Sequence, residues 1–453
     1  MNHYTRFSAR ASLGAVGVYM RQRQMWQVIE QHVHIKQKVI EHKPTDKMLD
    51  AFINILAGGQ GLVEINGRVR PDEALQRAFG RRSCADQSTI SDTFNACTEE
   101  NVRQKRQALQ ELYRAHGQGY RHNYQQGLQV LDVDMTGLPT GRQGEGATKG
   151  YFSGKKGQRG RQLGRVLATL YDEIVTGRLY TGKIQLTRCL RQLVAAADKI
   201  LALDRDKRQQ TLIRVDGGGG KDADINWLLA RGYHVLTKVN NWRRAALLAR
   251  SVTEWHTDPK TGDRQAGWVT DPYTYVRPTR QLAIRTPRKD GSWLYWVLVF
   301  TLSDEQLCWL ASRPIAHEPA PEQILFTPLY AYDLRSGGVE TSIKSSKQGL
   351  GLTKRNKRSF VAQEMLVLSA QLAYNLLSWI RNHLVKHRPN LRAYGPLRIV
   401  RDLLHITGMV RLDSQGRILE ITLNQAHALA VPFQRALSSS LAQDDFVLNL
   451  GQT

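Results

Sequence analysis

The sequence predicts an α/β protein with a helical N-terminal region, a strand-and-helix core and a β-rich segment that interrupts the core. Three observations carry this expectation. Residues 1–125 place apolar side chains at helical spacing. Two short runs, LQVLDVD (128–134) and TLIRVD (211–216), read as strands that end on an acid, and the second is followed by a turn, a helix and another strand. Residues 251–325 are rich in Pro, Trp and Thr and read as β, before helical patterning returns over 360–384.

The chain has 453 residues, with 64 Lys+Arg against 40 Asp+Glu and a formal net charge of +24. That excess does not suit an ordinary metabolic enzyme and points to a polyanion, most simply nucleic acid. A hydrophobic content of 41% marks a folded protein and not a basic disordered tail. Cys84, Cys97, Cys189 and Cys308 are isolated, which supports neither a zinc ribbon nor a disulfide scaffold and fits a reducing cytoplasm. The apolar run at 11–20 follows Arg6 and Arg10 but lacks a small-residue cleavage site, so no secretion signal is expected. No run reaches membrane-spanning length, 293–302 being too short, so no membrane partner is expected.

Taken in order, 25–40 and 47–56 read as helices, broken by Gly58, Gly59 and Gly61. Pro71 and Asp72 open a helix over 73–79, and Ser88 and Thr89 start another that carries Ser91, Asp92 and Thr93. Helix, basic turn and polar helix suit a helix-turn-helix reader, or ordinary helical packing. His32 and His34, two apart, are surface residues and not metal ligands. Residues 99–116 form a connecting helix. In the 128–134 strand, alternation puts Asp132 and Asp134 on one face, with Asp134 at the strand mouth and Asp132 the alternative candidate.

Residues 141–165 are a glycine-containing basic loop suited to phosphates; it holds Arg142, Lys149, Lys155, Lys156, Arg159, Arg161 and Arg165 against one acid, Glu145. A hairpin is expected from 164–171 and 178–183, turning at Thr176 and Gly177. Residues 186–203 are a helix whose apolar stripe includes an inert Cys189. GGGGK at 217–221 lacks phosphate-loop spacing. It reads as a turn before a helix over 224–231, capped by Asp222 or Asp224. The strand at 234–239 then pairs in parallel with 211–216, leaving Asp216 at a carboxyl end. Strands at 280–285 and 293–302 join through Lys289, Asp290 and Gly291. A hairpin over 410–423 and a helix over 426–437 end the chain.

Residues 332–347, YDLRSGGVETSIKSSK, organise the functional expectation. A helix from Val339 aligns Glu340, Lys344 and Lys347 on one face, close to Arg335. Asp134, Asp216 and Glu340 brought together would repel one another, and two divalent ions would relieve that repulsion. All-oxygen ligands favour Mg²⁺ or Mn²⁺ over zinc. Such a site activates water or a 3′-OH for in-line attack on a phosphodiester.

These residues resemble the DDE transposases of bacterial insertion sequences, in the cut-and-paste branch that has a β-rich insertion and a Tyr-Arg-Glu-Lys signature. The resemblance rests on VDMTG with Asp134 and Thr136, LIRVDGG with Asp216, and 332–347 with Tyr332, Arg335, Glu340 and Lys347. The Glu-to-Lys spacing is kept, whereas one extra residue separates Arg335 from Glu340, absorbed at Gly337 and Gly338. It spans 126–385 and implies an RNase H-like catalytic core in two parts, 126–250 and 326–390. The insertion, 251–325, divides them, and a C-terminal region covers 391–453. It further implies that 1–125 recognises terminal inverted repeats and that a homodimer brings two ends together.

The resemblance also makes Asp134, Asp216 and Glu340 the catalytic and metal-binding residues, with two Mg²⁺ or Mn²⁺ ions. Tyr332, Arg335, Lys344, Lys347 and the basic loop (Arg142, Lys155, Lys156, Arg159, Arg161) would bind element and target double-stranded DNA. A bacterial, nucleoid-associated location follows. In this branch the excised ends commonly pass through a hairpin, with a Trp stacked on a flipped base. Trp255, Trp268, Trp293 and Trp296 are the candidates, and the apolar strand around the last two reads as core. Another RNase H-like nuclease or resolvase, or a DNA-binding protein that has lost transposition, are the competing readings. The presence of all three acids weighs against the latter.

Overall fold

The computed structural model describes residues 3–39, 41–152, 157–312, 321–441 and 446–452, with side chains from 324 onward in the helix Pro321–Arg335. Lys155 and Lys156 lie outside the described residues. The fold is mixed α/β, with two sheets among the described residues.

The first strand, β1 (His3–Ser8), precedes a run of helices: Ala11–Gln22, Met25–His32, Pro44–Leu56, Glu73–Ala78, Gln87–Asn95 and Glu99–His116, with shorter turns among them. The apolar run at 11–20 is the buried body of the first helix. The second helix ends at His32 and the chain continues extended, so the helix expected to reach 40 is shorter. Asp72 and Asp86 cap the fourth and fifth helices, their carboxylates accepting from the Leu75 and Ser88 amides.

The large sheet contains β2 (Gln129–Pro139), β3 (Thr148–Lys149), β4 (Arg159–Ala168), β5 (Glu173–Thr181), β6 (Thr211–Val215), β7 (His234–Lys238), β8 (His256–Thr257), β9 (Gln265–Trp268), β10 (Arg280–Pro287) and β11 (Trp293–Phe300). Its order is β3-β4-β2-β6-β7-β11-β10-β9-β8, with β5 also paired to β4. The parallel pairs β2–β6 and β6–β7 form the centre, as the strand–helix–strand spacing requires. The strands of 251–325 do not form a separate sheet: β11 pairs antiparallel with β7 and extends the same one.

Several local expectations are corrected. The hairpin β4–β5 turns at Thr169–Asp172, where Asp172 takes a left-handed φ of 52°, and Thr176 and Gly177 lie within β5 opposite Val166 and Arg165. The helix Asp222–Ala230 follows Lys221 without a side-chain cap, while Asp222 and Asp224 occupy its first turn. The second half of the basic stretch is strand β4 and not loop. At the chain's end, β12 (Gly408–Asp413), β13 (Ile418–Asn424) and β14 (Val447–Gly451) join β1 in a four-stranded sheet ordered β1-β12-β13-β14. The helix near the end is Ala430–Leu441, four residues later than expected at its start.

One face of the large sheet positions the site. Leu128 and Val130, Leu212, Leu236, Leu298 and Phe300 project from four neighbouring segments onto Leu325, Phe326 and Leu329 of the helix Pro321–Arg335. Strand side chains alternate, so Asp132 and Asp134 share the face of Leu128 and Val130. This helix therefore lies across the face that carries the acids, and it continues through Ser336–Glu340 into Thr341–Gly349. The helix Phe360–Val385 packs against β5 and is buried along most of its length.

Candidate active site

Register brings the first two acids together. The last pair of the parallel β2–β6 ladder is Val133 with Val215, so Asp134 and Asp216 are the next residues on neighbouring strands and leave on the same face. Burial pushes the Asp134 carboxyl up to about 6; Arg335 opposes this shift and the neighbouring Asp216 adds to it. Asp216 also accepts from the Gly218 amide at 2.9 Å, so the glycines make a tight turn beneath it.

Two residues earlier on the same strands, Asp132 and Arg214 face each other in register. Their side chains, 0% and 1% exposed, form a double ion pair with Nε–Oδ1 2.6 Å and Nη2–Oδ2 2.8 Å. Arg214 Nη1 also donates to the Ala331 carbonyl at 2.6 Å, and Thr169 Oγ1 donates to Asp132 Oδ2 at 2.7 Å. Asp132 is thus committed to the core, which removes it as the alternative to Asp134. The pair also ties the crossing helix to the sheet one turn before Arg335.

Arg335, buried at that helix's end, places Nη1 3.2 Å from Asp134 Oδ2 and Nη2 2.6 Å from Glu340 Oε1. Burial lowers its basicity, but Asp134, Tyr332, Asp216 and Glu340 together raise it further. All three acids therefore act on one guanidinium. Ser336–Glu340 is a π-helical turn, whose wider winding lets Arg335 and Glu340, five residues apart, meet. Gly338 is required there, because a Cβ would meet Asp132 Oδ2 and Thr169 Cγ2 at 2.8 Å each.

Of the expected cations, Lys347 reaches back to β2 and donates from Nζ to Thr136 Oγ1 at 2.6 Å. Burial and Arg165 lower its basicity, against the pull of Asp134. Lys344 and Arg142 are exposed. Arg159 is half-buried. Arg161 is not free to meet phosphate: it is fully buried and donates to the carbonyls of Glu145, Lys357 and Arg358. Tyr332 is also buried, its ring centroid 6.3 Å from that of Trp296. Trp293 and Trp296 are half-buried; Trp296 packs against the apolar cluster beneath the crossing helix and lies against Tyr332.

Sequence reasoning missed Lys238. It follows Thr237, which pairs with Val215, so Lys238 stands beside Asp216 as Asp216 stands beside Asp134. Its Nζ lies 3.8 Å from the Trp296 ring centroid and 5.0 Å from that of Tyr332. Among the described residues it has no ion-pair partner. The available signal was the strand-helix-strand pattern itself, which sets the register of residues 211–216 against 234–239. A cavity of about 600 Å³ opens beside the acids, lined by Asp134, Thr136, Phe152, Gln162, Asp216 and Lys347 among others.

The donor set suits a hard divalent ion, since all three acids offer carboxylate oxygens. In the arrangement described, however, no group of three metal-ligating side chains is close enough to hold an ion among the described residues. Arg335 stands between Asp134 and Glu340.

A family model described as the transposase DDE domain matches residues 125–376, more than half of the chain. The chain belongs to the DDE transposase family, whose members cut and join DNA strands and generally use divalent metal ions. No curated protein sequence matches it. Among solved structures, it is similar to a piggyBac transposase synaptic complex with hairpin DNA. The TM-score is 0.44 at 10% identity, covering 93% of this chain and 77% of that one. No helix among the described residues is long and apolar enough to cross a membrane.

Proposed function

We propose that this protein is the transposase of a bacterial insertion sequence, which binds terminal inverted repeats and moves the element by cut-and-paste cleavage and strand transfer. The observation that carries this reading is the in-register placement of Asp134 beside Asp216, with Glu340 brought to the same guanidinium. The parallel strands β2, β6 and β7, with antiparallel β4 beside them, agree with an RNase H-like core at 126–250 and 326–390.

Asp134, Asp216 and Glu340 would hold two Mg²⁺ or Mn²⁺ ions, which would supply activation of water or a 3′-OH and stabilisation of the leaving oxygen. Lys347, hydrogen-bonded to Thr136, and Lys238, seated on Trp296 and Tyr332, flank the acids and bind backbone phosphates. Exposed Lys344 and Arg142 extend the same positive path. Residues 1–125 read the inverted repeats. The helix Gln87–Asn95 supports this by exposing Ser88, Thr89 and Asp92, while Ser91 accepts from Lys357 Nζ. A homodimer joins two element ends, and 251–325 forms the insertion.

The test is cleavage of a duplex carrying the element ends in Mg²⁺ by wild type and Glu340→Ala. End-specific cuts by wild type, lost in the variant while binding persists, support the proposal. Binding without cutting by wild type in either Mg²⁺ or Mn²⁺ contradicts it and favours a non-catalytic DNA-binding protein.

A further inference from the structure

We propose that Arg335 is an internal counterion for the acids, competing with the divalent ion in the DNA-free protein and yielding to it when a DNA phosphate draws the guanidinium away. This inference rests on the metal-site reading of Asp134, Asp216 and Glu340 and adds a coupling between metal and DNA.

Geometry supplies the first reason. One guanidinium spans two acids that an ion would have to share, at 3.2 Å from Asp134 and 2.6 Å from Glu340. With Arg335 in that place the carboxylates do not form a three-ligand group. A cation and a guanidinium cannot both take the inward oxygens, so loading the site requires Arg335 to withdraw from at least one acid.

The second reason is that the arginine is imperfectly satisfied there. Its buried Nη1 meets Asp134 Oδ2 at 3.2 Å as an ion pair that lacks good hydrogen-bond alignment. A planar guanidinium binds a phosphate through two parallel N–H donors, a geometry that this arrangement does not provide. A phosphodiester lying along Lys238 and Lys347 would present such an acceptor beside Arg335. Transfer of the arginine from carboxylate to phosphate leaves the acids uncompensated and raises their affinity for a cation.

Third, the segment that would adjust is a π-helical turn in which a Cβ on Gly337 would meet nothing within 4 Å, while Gly338 stays packed on Asp132 and Thr169, so Glu340 is joined to Arg335 by a non-standard helical turn. Small changes in this turn alter the distance between the two residues without unseating Ala331, which Arg214 holds to the sheet.

Linkage makes the prediction symmetrical: if DNA tightens metal binding, metal tightens DNA binding by the same factor. The experiment measures Mn²⁺ affinity by electron paramagnetic resonance, without DNA, for wild type, Arg335→Gln and Glu340→Gln. Arg335→Gln is expected to bind Mn²⁺ about ten-fold tighter or more, equivalent to ~1.4 kcal/mol. Glu340→Gln should bind more weakly. Because Arg335→Gln could misfold, the same titration is run on wild type with a duplex oligonucleotide, after subtracting ions bound by the duplex alone. There the wild-type affinity should also rise. Equal or weaker Mn²⁺ binding by a folded Arg335→Gln, or no gain with duplex in wild type, overturns the counterion role while leaving the metal site standing. Mn²⁺ binding unaffected by Glu340→Gln, or absent from every protein with and without duplex, defeats the metal-site reading and this inference with it.

Discussion

Arg335 and Glu340 are five residues apart, yet their side chains meet at 2.6 Å, because the turn between them is π-helical. In an α-helix, side chains four apart share a face; the wider turn moves that relationship to five. The five-residue separation is therefore compatible with direct contact between the two side chains.

The turn depends on Gly338. Its Cα approaches Asp132 and Thr169 so closely that an alanine methyl would force one of them aside. Gly338→Ala is expected to destabilise the protein by ~1–3 kcal/mol, measured by urea unfolding. It should also reduce cleavage more than DNA binding, since Glu340 lies at the end of the displaced turn. Unchanged stability and cleavage would show that the turn is not constrained at this point.

Asp132 and Asp134, two residues apart on one face of β2, should give opposite phenotypes. Asp132→Asn leaves Arg214 buried without its counter-charge, and the expected loss is ~3–5 kcal/mol. Asp134→Asn removes a carboxyl whose ionised form burial already disfavours, so stability should hold or improve near neutral pH while cleavage disappears. Chemical denaturation alongside an end-cleavage assay separates the two.

Lys238 should report on the DNA path. Its ammonium is held on two aromatic rings and faces the acids, so Lys238→Met is expected to weaken DNA binding and to lower the salt dependence by about one phosphate contact. The melting temperature should stay the same or rise, because burial already lowers the basicity of this lysine. An unchanged salt slope would remove Lys238 from the interface.

Lys105 gives a pH signature distant from the site. It is fully buried on the helix Glu99–His116, donating to the Met365 carbonyl at 2.9 Å and to Ser369 Oγ at 2.5 Å, and burial brings its amine down to about 7. The unfolded chain holds this proton up to about 10.4, so between about pH 7 and 10 the unfolded state binds more protons and stability rises with pH from this group. Below about 7 both states are charged and the full penalty of burying the charge remains. Lys105→Met should be more stable at pH 7 and should lack that rise in denaturation measured from pH 7 to 9.5.

Residue pattern reveals some of these relationships and hides others. Strands ending at Asp134 and Asp216 were legible because alternation and the strand-helix-strand rhythm are local, and the same rhythm could have pointed to Lys238. The contact between Arg335 and Glu340 was not legible, because a π-turn leaves no pattern in the residues. The sheet of β1, β12, β13 and β14 was not legible in full, because it joins segments from opposite ends of the chain. Thr176 and Gly177 looked like a turn, but the chain reverses at Asp172, whose left-handed backbone needs no glycine. Arg161 looked like its basic neighbours, and charge counting cannot distinguish a guanidinium spent on three carbonyls from one facing DNA.

The most direct test of a shared metal site is localised backbone cleavage with Fe²⁺ and ascorbate in place of Mg²⁺, on the protein bound to duplex DNA. Cuts are expected near 134, 216 and 340 together, suppressed by excess Mg²⁺ and lost in Glu340→Gln. Cuts at positions away from these three segments, or an unchanged pattern in Glu340→Gln, would contradict the site.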